Sequence, residues 1–140
     1  MIGDIALKGP LTSLPQDKAL DHLNAITQKI IGCAFKVSNS LGVGFLEKVY
    51  ENALAIELIN TGLAVEQQKP IQVWYMGQVV GDYSADLLVE NQVLVELKAV
   101  KNLDQVHYAQ CLNYLKATQL RVCLLINFGK TRIEIKRFIN

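Results

Sequence analysis

The sequence predicts an α/β fold, a single domain in which helices flank a mixed β-sheet. Three observations lead there. The chain has 140 residues, 51% of them hydrophobic and 19% charged. That is enough for one core without disulfides or structural metal, and too apolar for a disordered polyelectrolyte. Apolar residues recur at three- and four-residue steps in the first part of the chain and alternate from position 70 onward. A later helical stretch separates two extended runs, and strand–helix–strand calls for a right-handed crossover into a parallel pair.

Residues 1–15 read as a flexible arm broken by Gly3, Gly9, Pro10 and Pro15, with the domain filling residues 16–140. Residues 17–38 are helical, since Leu20, Leu23, Ile26, Ile30, Ala34 and Val37 make one stripe. Ser40-Leu41-Gly42-Val43-Gly44 breaks that helix, and a second spans residues 45–60 with Gly62 as its stop. The period then changes. Residues 70–80 are extended, and residues 82–89 and 93–100 are two further strands. Residues 104–118 return to helix with Asp104 as N-cap and Tyr108, Cys111, Leu112 and Leu115 as its core stripe. The near-continuous apolar run 121–128 suits a strand covered on both faces, and the alternation over 132–138 suits an edge strand.

No apolar run approaches the roughly 18 residues of a membrane span, and the first twenty residues lack the apolar core of a secretory signal, so a cytoplasmic location and no membrane partner are expected. Cys33, Cys111 and Cys123 are odd in number and form no CxxC pair, which reads as reduced buried thiols. Net charge is +1, yet residues 1–90 carry six Lys/Arg against ten Asp/Glu and residues 91–140 eight against three. A basic C-terminal half can meet phosphates, although an unevenly charged solvated surface explains the same numbers more simply.

The stretch that carries chemistry runs from Asp86 to Lys98. Read as an antiparallel hairpin with a three-residue loop Glu90-Asn91-Gln92, it pairs Val89 with Val93, Leu88 with Leu94, Leu87 with Val95 and Asp86 with Glu96. Alternation then puts Asp86, Glu96 and Lys98 on one face and Leu87, Val89, Val93, Val95 and Leu97 on the other. A two-residue loop would oppose Asp86 to Leu97 and turn Glu96 away. Two carboxylates a strand-width apart repel unless one is protonated or both share a cation. Mg²⁺ or Mn²⁺ suits oxygen donors, acidifies bound water and prepares it to attack a phosphodiester. Lys98 is placed to orient that water or to stabilise charge on the phosphate. Taken alone, the triplet is more simply a charge cluster on a solvated sheet face.

Two more constellations weigh on the other side. His107, Gln110 and Tyr114 fall at i, i+3 and i+7 of the third helix, a polar stripe that suits substrate contact. His107 alone is more often structural. Glu47 and Tyr50 stand at i and i+3 where the second helix opens, which offers Glu47 as a third carboxylate and Tyr50 as a substrate contact. An acid in a first helical turn also needs no function to explain it.

With these residues the chain resembles the GxxExxY proteins, a family placed in the PD-(D/E)XK nuclease superfamily. The matching segments are LGVGFLEKVYENAL, ADLLVENQVLVELKAV, QVHYAQCLNYLKAT and LLINFG. The resemblance covers about residues 20–129. Departures are Val43 where relatives often have proline, Ser38 where they often have histidine, and Ala85 in place of the superfamily's proline. The resemblance implies a restriction-endonuclease-like αβββαβ core and a site with Asp86 and Glu96 as metal ligands. The Leu97 carbonyl is a further oxygen for the metal, Glu47 a helix-borne acid beside it, and Lys98 the catalytic lysine. Gln110 and Tyr114 match the QxxxY motif of RecB-like branches. The expected function is a Mg²⁺- or Mn²⁺-dependent nuclease acting on DNA or RNA, with no organic cofactor and self-association left open. The alternative is a nucleic-acid-binding or accessory module that keeps the fold without useful catalysis.

Overall fold

A computed structural model describes residues 15–140, so the expected arm lies outside the described residues save for Pro15, which opens the first helix. The element order is α1 (Pro15–Leu41), α2 (Glu47–Asn60), β1 (Val65–Tyr75), β2 (Gln78–Val89), β3 (Val93–Lys98), α3 (Gln105–Thr118), β4 (Val122–Asn127) and β5 (Glu134–Ile139). The five strands form one sheet in the order β1-β2-β3-β4-β5. Every neighbouring pair is antiparallel except β3 and β4, which α3 connects and which run parallel, as the crossover requires. The sheet is therefore mixed and flanked by helices, with an αβββαβ core from α2 to β4.

Each face of the sheet has its own core. The α1 stripe, including Leu23, Ile26, Ile30 and Val37, packs with Leu54 and Leu58 of α2 against Leu87, Val89, Val93, Val95 and Leu97. Cys111, Tyr114 and Leu115 of α3 pack on the opposite face against Leu88, Leu94, Cys123 and Leu125. All six residues of β4 are buried, which is why its sequence shows no alternation. The three cysteines are free and buried. Among the described residues no helix is long and apolar enough to cross a membrane.

Several expected boundaries move. The first strand begins at Val65 rather than at residue 70, and it tolerates Pro70 because it lies at the sheet edge, where a missing N–H costs no ladder bond. It ends at Tyr75 rather than at 80, because Met76 and Gly77 turn the chain with φ of 49° and 78°. One long strand, β2, follows. The second helix starts at Glu47 instead of residue 45, and β3 stops at Lys98 instead of residue 100. Beyond it Gly129 sits against the Val100 main chain so closely that a Cβ there would lie 2.2 Å from the Val100 oxygen.

The hairpin keeps the three-residue register. Leu87, Leu88 and Val89 pair with Val95, Leu94 and Val93. Glu90 and Asn91 take φ of 54° and 55°, the left-handed twist that suits a tight hairpin, and the Gln92 amide donates to the Val89 carbonyl at 3.0 Å.

Candidate active site

The β2–β3 ladder ends at Leu87 and Val95, while β2 goes on with β1 and β3 goes on with β4. The two strands part there, and the acids fill the gap. Simple alternation fails at this point. Ala85 packs in the α3 core and Leu87 in the opposite one, so β2 turns over at Asp86. On β1 the residue facing this turn-over is Gln68, held at φ 53° between the pairs Gln67–Leu87 and Lys69–Ala85. Asp86 therefore projects into the opening rather than standing on a continuous face. Its Oδ2 accepts the Leu97 amide at 2.7 Å, and its own amide donates to Glu96 Oε1 at 3.2 Å. Lys98 Nζ lies 3.8 Å from Glu96 Oε2. Asp86, Glu96, Lys98 and the Leu97 main chain thus come together as the sequence expected, by a route that alternation did not foresee.

Electrostatics mark the cluster. Glu96 is 4% exposed, and burial together with the charge of Asp86 pushes its carboxyl up to about 8, against which the Asp86 main-chain N–H and Lys98 offer only partial relief. Burial also raises Asp86, while the Leu97 amide and the Gln68 side chain pull it back. Glu47 is exposed at the start of α2, yet its charge reaches both acids and adds to their upward shift.

Glu51, one helical turn after Glu47, is the residue that sequence reasoning undervalued. It is 3% exposed, and it accepts from Lys48, Gln67 and Gln68. Gln68 Nε2 donates to Glu51 Oε1 at 2.7 Å and to Asp86 Oδ1 at 3.1 Å, and Gln68 Oε1 accepts from the Ser84 hydroxyl at 2.9 Å. One amide therefore bridges the helix-borne acid to the strand-borne one. The sequence signal for Glu51 was its i+4 spacing from Glu47; nothing in the sequence signalled Gln68.

The α3 stripe divides. Gln110 Nε2 donates to the Tyr114 hydroxyl at 2.9 Å, and that hydroxyl lies 3.4 Å from the Ser84 carbonyl. Burial, with the charge of Glu96 behind it, pushes Tyr114 up to about 12, so its phenol stays protonated as a donor beside the acids. His107 was expected against substrate, and it sits instead in the capping box of α3. Its Nδ1 accepts the Asp104 amide at 3.1 Å while Asp104 Oδ1 accepts the Val106 amide at 3.0 Å. Tyr50, also expected against substrate, is fully buried. Its ring stacks on Phe128 at 4.7 Å, and its hydroxyl donates to the Gly42 carbonyl at 2.6 Å and accepts the Phe45 amide at 3.3 Å. It fixes the loop that delivers Glu47, and burial removes it from substrate reach.

The donors on hand are hard oxygens, the class that Mg²⁺ and Mn²⁺ prefer. A buried acid beside a half-buried one, both pushed toward the protonated form, suits a dication, whose charge would offset their repulsion. Among the described residues no group of three or more His, Cys, Asp or Glu side chains is disposed to hold an ion. A metal here would rely on two carboxylates, with water and main chain completing its shell, which is the ordinary habit of Mg²⁺.

Comparison with known proteins bears on the family and the fold. A family model described as the PD-(D/E)XK nuclease superfamily matches residues 24–138. A search of curated proteins finds no match. Among solved structures, an alkaline exonuclease (LHK-Exo) from Laribacter hongkongensis is similar at 17% identity and a TM-score of 0.50, over 66% of this chain and 55% of that one. A protein described as SSO0001 is similar at 18% identity and a TM-score of 0.49, over 66% of this chain and 49% of that one. The chain thus spans about half the length of these solved structures. At such identity the likeness to the exonuclease is one of fold.

Proposed function

From the premise that the chain belongs to the PD-(D/E)XK nuclease superfamily, we propose that it is a Mg²⁺- or Mn²⁺-dependent nuclease, of the GxxExxY branch, that hydrolyses phosphodiester bonds in DNA or RNA. The observation that carries this reading is the meeting of Asp86, Glu96 and Lys98 where β2 and β3 part, with a lysine ammonium 3.8 Å from a buried carboxylate. Asp86 and Glu96 would hold the metal, joined by the Leu97 carbonyl, with Glu47 close enough to add its charge. The metal, when bound, supplies an acidified water and a Lewis acid for the phosphate.

The chain's own residues do the rest. Gln68, braced by Glu51 and Ser84, keeps Asp86 Oδ1 turned toward the opening. Lys98 holds a positive charge where phosphate charge develops and orients the attacking water. Gln110 and Tyr114 present an amide and a phenol to the incoming strand. The test is cleavage of labelled DNA and RNA by wild type and Glu96→Gln in Mg²⁺ and in Mn²⁺. Wild type is expected to cleave, and the variant, still folded by circular dichroism, to lose about 100-fold or more. A variant that cleaves as fast as wild type overturns the assignment.

A second reading draws on the exposure of Glu47 and the absence, among the described residues, of a three-ligand group. It makes the protein a binding module that keeps the fold without turnover. Salt-dependent affinity for nucleic acid with no metal-dependent cleavage would favour it.

A further inference from the structure

An open groove of about 870 Å³ runs between the β1–β2 hairpin and α3. Trp74 and Tyr83 form its sheet wall, and Val106, Gln110, Tyr114 and Lys116 belong to its helix wall. Both sheet-wall aromatics are left largely in water, Trp74 at 60% and Tyr83 at 55% exposure. Gln72, Val73 and Trp74 all line the hollow, beside the point where the β1–β2 register slips by one and leaves Val80 of β2 as the extra residue. The Tyr83 ring stands 6.1 Å from the Tyr114 ring at 53°. Tyr114 in turn belongs to the candidate site, bonded to Gln110 and within the electrostatic reach of Glu96. Away from the site, a smaller hollow of about 510 Å³ shares Gln72, Trp74 and Ala117 with the groove and adds Lys69.

We infer that this groove is a base-stacking track for single-stranded nucleic acid, leading past Trp74 and Tyr83 to the Asp86–Glu96–Lys98 site. The inference rests on the nuclease reading and names its substrate class. Stacking, not charge, decides against a duplex. Lys116 is the single charged residue of the groove lining among the described residues, so few phosphates are held and binding falls to the aromatic faces, which the stacked bases of a duplex do not meet. What the groove offers instead is flat aromatic surface with amides between, and only an unpaired strand exposes base faces and edges to such a lining. Continuity with the site supplies the direction of the strand, since Gln110 and Tyr114 belong to both.

Trp74 is the only tryptophan in the chain, so its emission reports the groove directly. The experiment titrates an oligothymidylate of about twelve nucleotides into the protein in EDTA, where no cleavage occurs. Saturable quenching of Trp74 is expected. Tyr83→Ala should weaken binding roughly 5- to 100-fold and Tyr83→Phe should restore it. The affinity should fall with salt at a log–log slope of about −1, the signature of one or two phosphate contacts. A blunt duplex should compete poorly.

Absent quenching, unchanged affinity in Tyr83→Ala, or tighter binding of the duplex would overturn the inference. So would a wild-type dimer that Trp74→Ala dissociates while the oligonucleotide has no effect, which would give the groove to a second copy of the chain. Quenching without any metal-dependent cleavage would leave the track standing and sink the nuclease reading. Cleavage without quenching would do the reverse.

Discussion

Asp86 and Glu96 each accept a main-chain N–H from the other's strand, Asp86 Oδ2 from Leu97 at 2.7 Å and Glu96 Oε1 from Asp86 at 3.2 Å. The side chains thus replace ladder bonds that the parting strands no longer make. Each acid is a structural closure as well as a candidate ligand, and the two roles separate by substitution. Asp86→Ala orphans the Leu97 amide and should cost about 1–3 kcal/mol in urea unfolding. Asp86→Asn keeps an acceptor there and should cost less than about 1 kcal/mol. Equal losses in the two variants would show that the Leu97 bond is not what the carboxylate contributes.

Glu96 gives the fold a pH dependence whose sign can be worked out. Its carboxyl titrates at about 8 in the fold against an ordinary 4.5, so the folded state holds the extra proton between those values. Stability therefore falls as pH rises through that window. Glu96→Gln removes the titration and can still accept the Asp86 amide. The variant should match wild type near pH 5 and exceed it by roughly 4 °C or more in Tm at pH 9. Parallel Tm–pH curves would refute this.

Gln68 is held at φ 53° while its amide bridges Glu51 and Asp86. Gln68→Ala loses the bridge and keeps the strain, whereas Gln68→Gly loses the bridge and relieves the strain. Both should weaken divalent-ion affinity roughly 10-fold, as removal of a ligand's supporting partner does. The glycine variant should be the more stable of the two by about 1 kcal/mol or more, since alanine is strained at this positive φ. Ion titration and thermal melts on the same samples check both statements.

Tyr50 tests the division between support and substrate contact. Its hydroxyl ties Gly42 to Phe45, and its ring is fully buried. Tyr50→Phe should cost about 1–2 kcal/mol of stability with KM for an oligonucleotide unchanged. A raised KM with an unaltered Tm would return Tyr50 to the substrate.

Much of this was legible in the sequence, for identifiable reasons. The α1 stripe, the Asp104 cap and the unbroken apolar run of β4 are local patterns, and the structure has each of them. The register of the hairpin followed from demanding an apolar face for Leu87, Val89, Val93, Val95 and Leu97, and those five share one core. What alternation could not supply was the turn-over at Asp86, since it assumes a continuous ladder. The left-handed backbone of Gln68 carries no glycine to announce it. The burial of Tyr50 and Glu51 depends on Phe128, Gln67 and Gln68, partners distant in sequence that no local pattern identifies. His107 was open to two readings from the start. Its i+3 spacing from Asp104 is a capping signal as readily as a functional stripe.

Whether Asp86 and Glu96 together hold a divalent ion is read by calorimetric titration of Mn²⁺ into wild type, Asp86→Asn and Glu96→Gln at pH 7, in two buffers of different ionisation enthalpy. Wild type should bind one ion and release about one proton as Glu96 ionises. The affinity should be at least about 10-fold lower in either variant. Binding that releases no proton, or that both variants retain at full strength, would contradict it.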